Sequence, residues 1–142
     1  MKKWLVCMVC GWLGAGAAAA KTEWFTVVGN PQDPNVNTVE IDPVVAATPD
    51  VRKNMYVRVN RSRSRVNWEN LPYRSYEARI AFDCAAKKAD FVIVTFYPEP
   101  LWTGFPVITT DYSDKPRPME LRDIEPNPLE RIIRAACKPA GS

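Results

Sequence analysis

The sequence contains no histidine in its 142 residues. That one absence removes histidine triads, histidine-ligated zinc and haem, and imidazole general-base chemistry. Glycine is scarce, six in all, and no phosphate- or dinucleotide-binding glycine loop can be built from them. Ser62, Ser64, Ser75, Ser113 and Ser142 lack both a G-x-S-x-G setting and a base to activate them. A basic excess is missing too. Two of the 19 basic residues, Lys2 and Lys3, lie in the first 20 positions, which hold no acid; the remainder carries 17 basic against 16 acidic residues, a net charge of +1. A dedicated nucleic-acid binder normally shows a basic surplus, so nucleic acid is excluded as a partner. Acid pairs such as Asp111 and Asp114 are common in turns, and sequence alone does not fix the separation that glycoside cleavage requires. The expectation is a protein that is not an enzyme, with no cofactor and no metal site.

What is present starts with an export segment. Lys2 and Lys3 form a positive start, residues 4–15 are apolar apart from glycines, and Ala17, Ala18, Ala19 and Ala20 supply the small residues of a cleavage site before Lys21. These parts make residues 1–20 a secretory signal peptide and residues 21–142 one domain. A membrane anchor is the alternative, but the run is short for a span. Cys7 and Cys10 follow Val6 and Val9, not the small residue that lipid attachment favours, and read as apolar filler. The protein is expected to be exported, either periplasmic or at the cell surface, and not membrane-spanning after processing.

Cys84 and Cys137 survive processing, and an even pair in an exported chain predicts a disulfide. Tyr76, Ala78, Ile80, Phe82 and Cys84 alternate with Glu77, Arg79, Ala81 and Asp83, which ends the apolar face of a strand at Cys84. Asn127, Pro128 and Glu130 suit the N-cap, N1 and N3 positions of a helix. Leu129, Ile132, Ile133, Ala136 and Cys137 then share one helical stripe. Both cysteines are expected on buried faces, with the helix lying on the sheet; two free buried thiols are the other possibility.

Further strands are expected at residues 24–28, 38–42, 55–60, 89–97 and, more weakly, 107–110. The 89–97 run is nearly continuous in apolar residues and suggests a central strand covered on both faces, or with one face at a dimer contact. Thirteen prolines oppose a helical fold. The fold class is α+β: a single antiparallel β-sheet of about five or six strands, with a C-terminal α-helix packed on it and tethered by one disulfide.

Three features could bind a ligand. If the third strand continues, Arg61, Arg63 and Arg65 project from one face at about 7 Å spacing, a row suited to a polyanionic glycan, phosphate or acidic protein. The same arginines equally suit a solvated edge. Asn60-Arg61-Ser62 also fits a glycosylation sequon. The aromatic and proline stretch at 97–106 offers Trp102 and Phe105 either as a recognition surface or as the cap of a small core. Trp68, Tyr73 and Tyr76 follow the arginines, an interleaving that suits sugars.

Val39-Glu40-Ile41-Asp42, then Ala81-Phe82-Asp83-Cys84 with Lys87-Lys88, and a terminal helix ending in Cys137 resemble the surface-adhesin protein E-like domain of Gram-negative bacteria, over roughly residues 24–137. The resemblance implies a small antiparallel sheet with a helix tethered by one disulfide, and an adhesin that binds host extracellular-matrix proteins such as vitronectin and laminin and can form a homodimer. The Trp-x-Pro-Ile stretch that many members carry before the last helix is replaced here by Met119-Glu120-Leu121-Arg122-Asp123-Ile124. The expected function is therefore a non-catalytic exported envelope or surface protein that binds a macromolecule in the manner of an adhesin. The alternative is a periplasmic structural or inhibitor protein that binds an endogenous envelope partner.

Overall fold

A computed structural model describes residues 23–42 and 53–138. The expected signal peptide lies outside the described residues. Among the described residues seven strands form one sheet: β1 (Phe25–Val28), β2 (Thr38–Ile41), β3 (Lys53–Val66), β4 (Pro72–Asp83), β5 (Lys88–Tyr97), β6 (Ile108–Asp111) and β7 (Arg117–Pro118). The helix α1 spans Leu129–Ala136. Strand order follows chain order from β1 to β6, every pairing is antiparallel, and β7 also pairs with β5. Local hairpin pairing of this kind needs no crossover between strands. The expected class is found. β7, unanticipated, continues β6 along the same edge of β5: Ile93 pairs with Asp111, and Phe91 with Arg117.

Period two sorts the strands into two faces. Val39, Ile41, Met55, Val57, Val59, Tyr76, Ala78, Ile80 and Phe82 line the inner face and are buried. After β7 the chain crosses this face, burying Met119, Leu121 and Ile124, and α1 follows with Ile132 and Ala136 buried in the same core. Each fully buried aliphatic side chain contributes about 1.5–3 kcal/mol, so the crossover and helix together form the second layer the sheet needs. The outer face keeps polar residues such as Glu40, Arg58 and Glu77.

The apolar run in β5 has a different cause from the one expected. β4 and β5 slip register between Arg79 and Ile80, so that Ile93 and Phe91 are paired and Val92 is extra. This bulge breaks the alternation, and Ile93 is only partly buried. Val92 itself is buried, but apart from the core cluster of the inner face.

Cys84 and Cys137 are joined, with Cα atoms 5.5 Å apart. Their surroundings correct the expectation of two buried faces. β4 ends at Asp83, which leaves Cys84 exposed in the turn, while Cys137 caps the helix C-terminus and is half-buried. Asn127 Oδ1 accepts from Leu129 N–H, and its Nδ2 donates to the carbonyls of Glu120 and Leu121. The helix starts one residue later than the capping-box reading expects, and Glu130 turns outward to pair with Arg134. The disulfide thus fixes the far end of an eight-residue helix that would be marginal alone.

The cystine spans a sequence separation of 53, for which loop-closure entropy gives roughly 4 kcal/mol. Replacing both cysteines by serine should lower stability by about that amount or somewhat less, read as a shift in the urea midpoint. A change within the scatter of surface substitutions would mean that the apolar stripe alone holds α1.

Candidate recognition surfaces

The arginine segment sits where the β3–β4 ladder breaks. Asn60 pairs with Ser75 and Arg65 with Tyr73, so four residues of β3 stand between the two pairs and only Arg74 of β4 does. The three extra residues end the regular alternation. Arg61, Arg63 and Arg65 consequently do not form the evenly spaced exposed row expected from period two. Arg61 is buried at 8 % exposure and donates through Nη2 to the Arg122 carbonyl, 2.8 Å away. Arg65 pairs with Asp123 at 2.7 Å, and of the three only Arg63 is exposed. The Arg65 guanidinium, by hydrogen bond and charge, holds the Asp123 carboxyl below its ordinary range.

Asn60 anchors the break. It is 0 % exposed. Its Nδ2 donates to the carbonyls of Pro34 and Val36, and its Oδ1 accepts from Leu101 N–H at 2.8 Å. A buried amide with both ends satisfied is a strong local constraint, and it leaves the Asn60 sequon inaccessible in the folded chain. Arg74 reinforces the same corner by donating to the carbonyls of Arg61 and Pro34.

The 97–106 stretch packs against this corner on the outer face. A 3-10 turn, Pro100–Trp102, holds Leu101 and Trp102 at φ of 55° and 58°. Such left-handed backbone at non-glycine residues is costly and persists only where the surroundings impose it. Here Leu101 N–H is taken by Asn60, while Ser75 Oγ accepts Trp102 N–H and donates to Glu99 O. Trp102 Nε1 donates to the carbonyls of both Val59 and Tyr76, at 3.2 and 3.0 Å. Its ring carries the Arg58 guanidinium 4.0 Å from the centroid, with Trp24 on the same guanidinium at 4.5 Å. Arg58 also pairs with buried Glu40 at 2.6 Å, and Thr26 Oγ1 donates to Glu40. Trp102 is therefore an anchor, half-buried and saturated, while Phe105 at the tip is 92 % exposed. Neither residue caps the core: Trp102 is pinned on the outer face, outside the core cluster, and Phe105 faces solvent.

On the inner face a cavity of about 500 Å³ opens between the sheet end and the crossover. Trp68, Tyr73, Tyr76, Phe91 and Phe96 supply its aromatic walls, with edge-to-face or tilted contacts at 5.0–5.9 Å between centroids. Trp68 is held by Tyr112, whose ring packs at 5.4 Å and whose hydroxyl donates to the Glu69 carboxylate. Sequence reading singled out Trp68, Tyr73 and Tyr76 but not the crossover residues opposite them, because no local pattern announces that residues 120–123 return across the sheet.

Among the described residues no group of acids and cysteines could hold a metal ion, and no helix is long and apolar enough to cross a membrane. Ser75 Oγ is engaged with the backbone at both its donor and acceptor sides. Ser113 Oγ bonds Asp111, whose carboxyl is held below its ordinary range by that contact and the Ser113 N–H, which makes it a weak base.

These features define a small α+β module in which a meander sheet, a returning crossover and a cystine-tethered helix leave one pinned aromatic loop and one aromatic cavity. The chain belongs to the Surface-adhesin protein E family, whose model matches residues 24–138. No curated protein and no solved structure matches it.

Two outcomes test this corner. Trp102→Phe removes the indole N–H and leaves two carbonyls short of a donor; it should cost about 1–3 kcal/mol in urea denaturation. The second concerns Glu77, beside Arg58 on the outer face. Burial raises its carboxyl above the ordinary 4.5, and Arg58 offsets this only in part. A carboxyl raised by folding binds its proton more tightly in the native state. Its favourable contribution at low pH is lost as pH climbs from the ordinary glutamate value through the folded one. Relative to Glu77→Gln, the wild-type protein should lose stability across that window and converge with the variant below it, as measured by denaturation midpoints in a pH series.

Proposed function

We propose that this protein is a non-catalytic, exported envelope or surface module that binds a macromolecule in the manner of an adhesin, and that loop 98–107 is its contact. The observation that carries this reading is the contrast between Trp102 and Phe105. The base of the loop is fixed by hydrogen bonds from Asn60, Ser75 and Trp102, while the tip offers Phe105 at 92 % exposure and Val107 at 41 %. Gly104 at φ +77° supplies the backbone turn between them. A rigid loop loses little entropy on binding, and a large exposed aromatic on such a loop suits a central contact residue. Membership of the surface-adhesin family supports the adhesin class and an exported or surface location. The absence of histidine and the engagement of Ser75 and Ser113 support a non-catalytic role.

The partner class is an extracellular-matrix protein, with polyanionic glycan and an endogenous envelope protein as the competing outcomes. The test is solid-phase binding of the purified protein to a panel of matrix proteins and sulfated glycans, alongside a pull-down from periplasm. Phe105→Ser should abolish matrix-protein binding, a loss of tenfold or more by the usual cost of a central contact residue (~2 kcal/mol or more), without moving the thermal midpoint. Binding that survives in Phe105→Ser would place the contact elsewhere, and stoichiometric capture of one periplasmic protein in place of any matrix ligand would favour the envelope-partner reading.

A further inference from the structure

The cavity on the inner face lies apart from the loop just described, and its charges do not balance. Arg65 and Arg122 border it, but each is matched by a carboxylate, Asp123 and Glu120 respectively. Arg61, also a lining residue, has no carboxylate in ion-pair contact: Asp123 feels its charge but bonds Arg65, so three guanidiniums face two carboxylates. The one hydrogen bond of Arg61 goes to a neutral carbonyl, and its Nε and Nη1 are buried with no acceptor. An ionised group left in this condition carries a desolvation penalty that a structural latch to one carbonyl does not require. Around it stand Trp68, Tyr73, Tyr76, Phe91 and Phe96. Burial, with Tyr73 adding to it and Arg61 opposing it, keeps the Tyr76 phenol protonated well above the usual tyrosine range, so Tyr76 adds no negative charge beside Arg61.

We propose that this cavity binds a monocarboxylate carried on a flat apolar body, with the carboxylate on Arg61 and the body among the aromatic rings. A single unmatched guanidinium calls for one negative charge, and the carboxylates of Glu120 and Asp123 at the rim disfavour a dianion such as a phosphate monoester. The volume of about 500 Å³ falls within the range of small-molecule sites. Arg61 turns its unbonded edge toward the incoming group and exchanges a carbonyl bond for charge-assisted ones, the stronger type. The carboxylate can come from a free organic acid or from the C-terminus of a polypeptide ending in an aromatic residue, and the experiment separates the two.

The probes are 3-phenylpropionate, its amide, and a short peptide ending in phenylalanine with either a free or an amidated C-terminus. Binding to the full chain, disulfide intact, is followed by calorimetry and by thermal shift. Each acid is expected to bind at least about tenfold more tightly than its own amide, because the charge-assisted bonds to Arg61 are lost in the amide. Free acid without free-carboxylate peptide identifies a small-molecule site, and tighter peptide binding identifies a C-terminus reader. Arg61→Met should erase the acid preference. Val66→Trp, at a lining position that is 62 % exposed, narrows the cavity without entering the core and should weaken acid binding at least about tenfold; it serves if Arg61→Met fails to fold. Phe105→Ser should leave acid binding unchanged, so failure here and failure of the loop as an adhesive contact can be told apart. Equal binding of acids and amides, no binding of either, or an acid preference that persists in Arg61→Met would overturn the proposal.

Discussion

The three residues that β3 carries in excess of β4 between Asn60 and Arg65 are the constraint from which both surfaces follow. A regular ladder would keep a strand's side chains strictly alternating, with inner and outer faces fixed by parity. The excess ends that order at one point. On the outer side, Asn60 takes up the Leu101 N–H together with two carbonyls of the 30–37 loop. On the inner side, Arg61 stays in line with Val59 but comes to rest under the Arg122 carbonyl. One local irregularity thus seats the aromatic loop on one face and places a guanidinium beside the cavity on the other.

Both surfaces are held by polar contacts placed in apolar surroundings, and this makes them rigid. Leu101 and Trp102 adopt left-handed backbone, as do Leu121 and Asp123 in the crossover. Each costs of order 1–3 kcal/mol, and each lies next to a side-chain bond that fixes it: Asn60 and Ser75 in the loop, Arg61, Asn37 and Asn127 in the crossover. The cystine acts at a distance from both. It closes the crossover and helix over the sheet at the opposite end of β4, next to the β4–β5 turn, so the layer above the cavity is restrained at its C-terminal limit. Lys53 donating to the Lys138 carbonyl ties the chain after the helix to β3 at that same end, while Arg131, near the helix start, donates to the Val27 carbonyl of β1.

The parts legible in the sequence are those governed by short-range periodicity. Tyr76, Ala78, Ile80 and Phe82 do share a buried face, and Ile132 and Ala136 do face the sheet, because alternation and helical spacing report directly on burial. The pairing of Cys84 with Cys137 followed from their being the two that remain after the expected export segment. Where the reading failed, an insertion had broken the period. The Arg61-Arg63-Arg65 row presumed an uninterrupted β3, and the reading of β5 took no account of an extra residue at Val92; a bulge intervenes in each case. A bulge adds residues without a compositional mark of its own, so alternation counted along the chain cannot reveal it.

The candidate site was less legible still, for a related reason. Trp102 and Phe105 stand three residues apart with similar flanks, yet one is saturated and the other almost fully exposed. What separates them is contact with Val59, Tyr76 and Arg58, residues 26 to 44 positions away in the chain. Arg61 and Arg63 differ in the same way: the first meets a carbonyl 61 residues downstream, whereas the second meets solvent. Polar side chains acquire their roles from long-range partners, because a donor's free energy depends on whether an acceptor reaches it once water is removed. In Arg61 that condition is met at one nitrogen and unmet at two. A buried cation so incompletely matched beside an aromatic cavity raises the free energy of the empty fold, and the proposed anion would act by relieving that cost.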